Sequence, residues 1–118
     1  MSTQSEQPAS HRTPHVRSLA GREIVFDAEG FFNDFQDWSE EAFEVLAEES
    51  GISPITEQHR KVVRFLREFY AYNGRSPLNH QIKGGTGLSA LELQRLFPEG
   101  IKLGARRLAG LPNPKTCS

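Results

Sequence analysis

Cysteine is all but missing from this sequence. A single thiol, Cys117, stands in 118 residues, so no disulfide can form within the chain, and the composition fits a reducing compartment. Any disulfide would be intermolecular and transient. Long apolar runs are missing too. None approaches the ~18–20 residues that cross a bilayer. The largely polar first 20 residues lack the apolar segment of a secretory signal. The expected location is the cytoplasm, with no membrane partner. Net charge is only −1, so bulk charge does not call for a nucleic-acid partner. Hydrophobic residues amount to 36%, enough for one modest core in one domain.

Charge is unevenly spread. From Asp27 to Glu57 the chain carries ten acidic residues and neither Lys nor Arg, whereas Ile101 to Ser118 holds four basic residues and no acid. Such asymmetry marks either partner-facing surfaces or ordinary solvated helix faces. His11 and His15 have the four-residue spacing of helical metal ligands, but Pro14 between them breaks a helix. No metal site and no cofactor are expected.

Residues 1–18, rich in Ser, Gln, Pro, Thr and His, read as a disordered tail. Arg22 to Phe26 has β-favouring residues, Asp27-Ala28-Glu29-Gly30 reads as a turn, and Phe31-Phe32 as the start of a return strand, which together predict a short hairpin. Asp37 or Ser39 caps a first helix whose apolar face holds Ala42, Phe43, Leu46 and Ala47, and Gly51 ends it. Thr56 opens a longer helix with His59, Val62, Val63, Leu66, Phe69 and Tyr70 on one stripe, closed at Asn73-Gly74. A short helix spans Leu78 to Lys83. The run Gly84-Gly85-Thr86-Gly87 then reads as a flexible connection. It is not a phosphate loop, because no apolar strand precedes it and no Gly-Lys-Ser/Thr follows. Ser89-Ala90-Leu91-Glu92 is a capping box that starts a helix through Leu96. Pro98-Glu99-Gly100 turns the chain into a last helix, Ile101 to Ala109, ended by Gly110. The expected fold is mostly α, a helical bundle with a small N-terminal hairpin, over residues 19–110.

Residues 111–118 change character. Pro112 and Pro114 cannot continue a helix and bias their neighbours toward extended backbone, giving a semi-rigid arm. Seven residues separate Gly110 from Cys117, a reach of at most ~23 Å at ~3.3 Å each. Unpaired cysteines are ordinarily buried and inert, but a thiol one place from the chain end and beyond two prolines is hard to bury. Exposed, it is a nucleophile suited to taking a sulfane sulfur from a donor and presenting it to an acceptor. Lys115, Arg106 and Arg107 are candidates to stabilise its anion if the arm folds back, while the carboxylate of Ser118 opposes them.

These residues form a recognisable pattern. Leu96-Phe97-Pro98-Glu99-Gly100-Ile101-Lys102 and Leu108-Ala109-Gly110-Leu111-Pro112-Asn113-Pro114-Lys115-Thr116-Cys117 closely resemble the C-terminus of the TusE/DsrC/DsvC family, whose most specific mark is Ala-Gly-Leu-Pro-x-Pro-x-x-Cys. Phe26 to Phe31, Trp38 to Ala42, Ala47 to Ile52, Thr56-x-x-His59 and Val63 to Tyr70 resemble further family segments, so the likeness covers roughly Leu19 to Ser118. The resemblance implies a mostly helical fold with a small hairpin and a mobile arm, with Cys117 as the family's penultimate cysteine carrying a persulfide. In TusE-like members it implies a TusBCD-type sulfur donor and an acceptor of the MnmA type, a tRNA thiouridylase. In DsrC-like members it implies sulfite reductase and a DsrEFH complex. The chain has Arg106 where DsrC carries its second cysteine, which removes paired-cysteine chemistry and points to a one-cysteine carrier. His59-Arg60, His80 and Gly100-Ile101-Lys102-Leu103 also depart from ordinary TusE and suit a divergent paralogue.

Two other functions compete. Ser89 to Ala109 has the outline of helix, turn and helix, and Lys102, Arg106 and Arg107 on its second helix would meet phosphates in a sulfur-responsive DNA-binding regulator. No base-reading Asn or Gln lies on that helix. Alternatively the chain is a structural subunit of a larger sulfur enzyme, with Cys117 used for docking. No separate general base is evident: His59 and His80 are the candidates, but His59, on the apolar stripe, reads as a core residue and His80 as a surface one.

Overall fold

The computed structural model describes residues 15–113. Two antiparallel strands open it, β1 (His15–Leu19) and β2 (Arg22–Phe26), paired from His15 with Phe26 to Leu19 with Arg22. Ala20 and Gly21 between them both take positive φ, 53° and 79°, the conformation that lets a two-residue turn match the strand twist.

This differs from the expected hairpin in which strand takes part. The turn expected at Asp27 to Gly30 puts the start of the return strand at Phe31-Phe32. The structure forms a single bridge there, between Phe26 and Phe32, and pairs β2 with the segment before it. The Asp27–Gly30 turn does form: the Gly30 N–H donates to the Asp27 carbonyl at 3.0 Å. Asp27 Oδ1 also accepts from the N–H groups of Glu29 and Phe31, both at 2.9 Å. Phe31 and Phe32 are then both buried. Consecutive strand residues face opposite ways, so a chain that buries both turns inward rather than extending the ladder. Residues 15–18, assigned to the tail from composition, accordingly belong to β1, while the rest of that tail lies outside the described residues. Arg17 joins β1 to the first helix through a two-toothed contact with Glu49, 3.0 and 2.6 Å.

The first helix, α1 (Glu40–Glu49), is capped by Ser39, whose hydroxyl accepts from the Ala42 N–H at 3.1 Å. It buries Ala42, Phe43, Leu46 and Ala47. The longest helix, α2 (Glu57–Asn73), starts at Thr56 and stops at Gly74, which takes φ 70°. Val62, Val63 and Leu66 are its buried stripe. His59 fills the reciprocal half of the cap, a place usually held by Glu or Gln. Its Nδ1 accepts from the Thr56 N–H at 3.0 Å, and its Nε2–H donates to the Leu96 carbonyl at 2.9 Å. It is a satisfied core residue, as its place on the stripe suggests, and His80 is exposed.

The glycine run is not a flexible connection. The third helix, α3 (Asn79–Thr86), runs straight through Gly84 and Gly85 and ends on Gly87 at φ 74°. The reason lies in a neighbour: a Cβ on Gly85 would overlap the Phe65 ring. Gly85 thus allows α3 to close on α2, a tertiary demand that composition does not reveal. The next helix, α4 (Ala90–Leu96), has the expected capping box, Ser89 with Glu92 at 3.1 and 2.9 Å.

The last helical element, α5 (Ile101–Arg106), is wound as a π-helix rather than the α-helix that spacing predicts over Ile101–Ala109. The Arg107 N–H donates to the Lys102 carbonyl, and the Leu111 N–H reaches the Arg106 carbonyl at 3.2 Å. Gly104 lies against Phe97, where a Cβ would come within 3.0 Å of the Phe97 Cβ. One hydrophobic core joins both strands and all five helices through Leu19, Phe26, Phe43, Leu66, Ile82, Leu93 and Ala105. Among the described residues no helix is long and apolar enough to cross a membrane.

Candidate functional site

The chain beyond α5 does not swing free at Gly110. Trp38, the only tryptophan, sits just before the cap of α1 and donates its Nε1–H to the Leu108 carbonyl at 2.9 Å. Arg67, on α2, donates to the next carbonyl, that of Ala109, at 2.9 Å, and to the Phe35 carbonyl at 3.2 Å. Its guanidinium lies between two aromatic faces, 3.9 Å from the centre of Phe35 and 4.4 Å from that of Trp38. Burial pushes Arg67 down to about 10, still far above neutral pH, so the cation persists. The two carbonyls and two rings replace the carboxylate that a buried guanidinium usually finds.

Gly110 is forced by this clamp. It takes φ 80°, and a Cβ would lie 2.8 Å from Trp38 Cδ1 and 3.0 Å from an Arg67 nitrogen. The next residue, Leu111, is fully buried. Two residues on, the Asn113 amide donates to Asp27 Oδ2 at 3.0 Å and to Glu29 Oε1 at 2.7 Å. The arm expected from 111 onward is therefore seated on the domain as far as Asn113, and it leaves beside the turn after β2.

The residues singled out from sequence separate into two groups. Cys117 and Lys115 lie outside the described residues. Lys102 is exposed. Arg106 is half-buried, with one terminal N–H group donated to the Pro77 carbonyl at 2.7 Å and its Nε buried without a partner among the described residues. Burial lowers its pKa. Arg107 donates to Ser50 Oγ at 2.7 Å, to Glu99 at 3.0 Å and to the Leu103 carbonyl. Two of the three cations proposed to meet phosphates are thus spent on contacts within the fold. Part of the acidic block is likewise paired within the fold: Arg60 holds Glu40 and Glu44, Arg22 faces Asp37 and Arg17 holds Glu49.

Sequence reasoning missed the clamp. Trp38, Arg67 and Asp27 stood in segments quoted for their resemblance, and Asn113 stood within the arm, without a role for any of them. The available signal was the lone tryptophan together with a glycine where a helix meets an extended arm. Which residues face that glycine is a long-range fact that no local pattern carries.

A helical domain entered by a hairpin places the chain in a known class of small helical proteins, and the family model confirms it: the chain belongs to the DsrC-like protein family, which matches residues 18–118. Among curated relatives, the gamma subunit of dissimilatory-type sulfite reductase from Nitratidesulfovibrio vulgaris is 38% identical over 97 residues, covering 82% of this chain and 92% of that one. Sulfurtransferase TusE from Yersinia pseudotuberculosis is 40% identical over 104 residues, covering 82% and 95%. The oxidized gamma subunit (DsrC) from Archaeoglobus fulgidus superposes with a TM-score of 0.77 at 31% identity, over 88% of this chain and 100% of that one.

Proposed function

We propose that the protein is a sulfur carrier that holds a persulfide on Cys117 and passes it between partner proteins. The observation that carries this reading is the seated arm. Trp38, Arg67, Gly110, Leu111 and Asn113 fix the last described residue at a defined point on the surface, four residues before the single thiol. Relatives named as a sulfurtransferase and as a sulfite reductase subunit supply the chemistry.

The step needs no cofactor. The Cys117 thiolate attacks the outer sulfur of a donor persulfide, R–S–SH. A new S–S bond forms on Cys117, the donor's S–S bond breaks, and the donor leaves as a thiol. Release to an acceptor repeats the exchange, and sulfane sulfur is neither oxidised nor reduced on the way in. TusBCD-like or DsrEFH-like proteins are the proposed donors, and an MnmA-like tRNA thiouridylase is one proposed acceptor. Arg106 in place of a second cysteine confines each chain to one sulfur-carrying thiol.

Intact mass spectrometry after incubation with polysulfide tests the reading. A gain of ~32 Da that a thiol reductant removes and that Cys117→Ser abolishes is the expected result. A titratable thiol that gains no sulfur from polysulfide or from a persulfidated TusD-like or DsrE-like protein would overturn it.

A further inference from the structure

Asn113 makes the most specific contact in the arm, and nothing in the helical core requires it. Asp27 Oδ1 is already occupied by two backbone N–H groups of its own turn, which leaves Oδ2 aimed outward at a fixed angle. Glu29, two residues on, supplies a second carboxylate oxygen. The Asn113 amide has two N–H donors in one plane and gives one to each, at 3.0 and 2.7 Å. Hydrogen bonds from an amide to an ionised carboxylate are stronger than neutral ones. Leu111 is buried on the domain independently of them.

From this geometry we infer that Asn113, held by Asp27 and Glu29, is a positioning residue for sulfur transfer: it shortens the tether of Cys117 and confines the thiol to the surface around the Asp27–Gly30 turn, where donor and acceptor proteins must present their reacting sulfur. The consequence for transfer rests on the carrier reading above; the tether geometry does not. With Asn113 latched, four residues lead to Cys117, a reach of at most ~13 Å; with only Leu111 seated, six residues allow ~20 Å. The volume open to the thiol then grows roughly threefold to fourfold, and its effective concentration at the turn falls by the same factor. Asp27 and Glu29 are positioning residues in the same sense, because they act through Asn113. Their charge sets the sign of the test: an acidic residue at 113 would be repelled by both, and a lysine would be accepted by both.

The test compares wild type, Asn113→Asp and Asn113→Lys, each with its native cysteine. A nitroxide on Cys117 is expected to broaden backbone amides most strongly from Asp27 to Phe32 in wild type and in Asn113→Lys. In Asn113→Asp the broadening is expected to spread over other faces. With a persulfidated TusD-like or DsrE-like protein as donor, Asn113→Asp is expected to raise KM about threefold with kcat unchanged, and Asn113→Lys to restore it. Alkylation of the thiol by iodoacetamide, which needs no docking, should stay within twofold across the three proteins. An identical broadening pattern in wild type and Asn113→Asp would refute the latch. A changed pattern with an unchanged KM would refute its role in transfer. If no variant takes up sulfur from polysulfide, the carrier reading fails, and the nitroxide experiment still decides the latch.

Discussion

Two residues show how narrowly the molecule is tuned at single positions. Gly110 combines a left-handed backbone with a wall formed by Trp38 and Arg67. Gly110→Ala is expected to cost about 2–4 kcal/mol through strain and overlap together, read as a lowered urea midpoint. His59 makes stability depend on pH. Burial lowers its pKa, and the Leu96 carbonyl opposes this more weakly. The fold therefore prefers the neutral ring, whose Nδ1 must accept from Thr56. As pH falls below the ordinary histidine value of ~6.5, the unfolded chain binds a proton first, and stability is lost progressively toward the lower folded value. Urea midpoints between pH 8 and pH 5 should fall in wild type, and His59→Gln should flatten part of that slope. A slope unchanged in His59→Gln would assign the pH dependence elsewhere.

Among the elements, α3 separates what sequence reveals from what it hides. Capping signals at Ser39, Thr56 and Ser89 and the apolar stripes of α1 and α2 are local, and they place those helices within a residue or two. Gly84 and Gly85 look alike in sequence and are opposite in the fold. Nothing lies within 4 Å of a Cβ on Gly84, whereas Gly85 abuts the Phe65 ring. Gly84→Ala is expected to stabilise α3 by up to ~1 kcal/mol. Gly85→Ala should destabilise by about 1–2 kcal/mol despite the better helix former, and Phe65→Leu should recover part of that loss in a double-mutant cycle. Independent, additive effects would mean that the ring does not set the glycine. β1 was illegible for a related reason. His15, Val16 and Ser18 are exposed, so no alternation announces the strand, and its turn uses Ala20-Gly21 in place of the usual Asn-Gly. The clamp at Leu108 to Asn113 was unreadable because its parts come from three separate stretches of chain.

At the scale of the whole molecule, part of the charge is spent on pairs within the fold. Four acids of the acidic stretch, Asp37, Glu40, Glu44 and Glu49, pair with Arg17, Arg22 and Arg60, all of them on β1, β2 or α2. Most of these pairs are exposed, where such contacts contribute little and are screened by salt. Raising ionic strength from 50 mM to 500 mM should therefore lower the thermal midpoint only slightly. A large drop would show that the pairs act as one network. The sulfur chemistry expected from sequence rests on the last residues of the chain, whereas Trp38 and Arg67, which hold the root of the arm at Leu108 and Ala109, belong to its middle. On the proposed carrier reading, transfer at Cys117 depends on the integrity of the entire domain, and destabilising substitutions far from the thiol should weaken transfer without changing its intrinsic reactivity.

The lone tryptophan adds a practical consequence. The Trp38 indole is hydrogen-bonded to the Leu108 carbonyl, with a guanidinium over its face, so its emission colour and intensity depend on whether the root of the arm is in place. The protein carries its own optical gauge of whether the root of the arm, at Leu108, is seated.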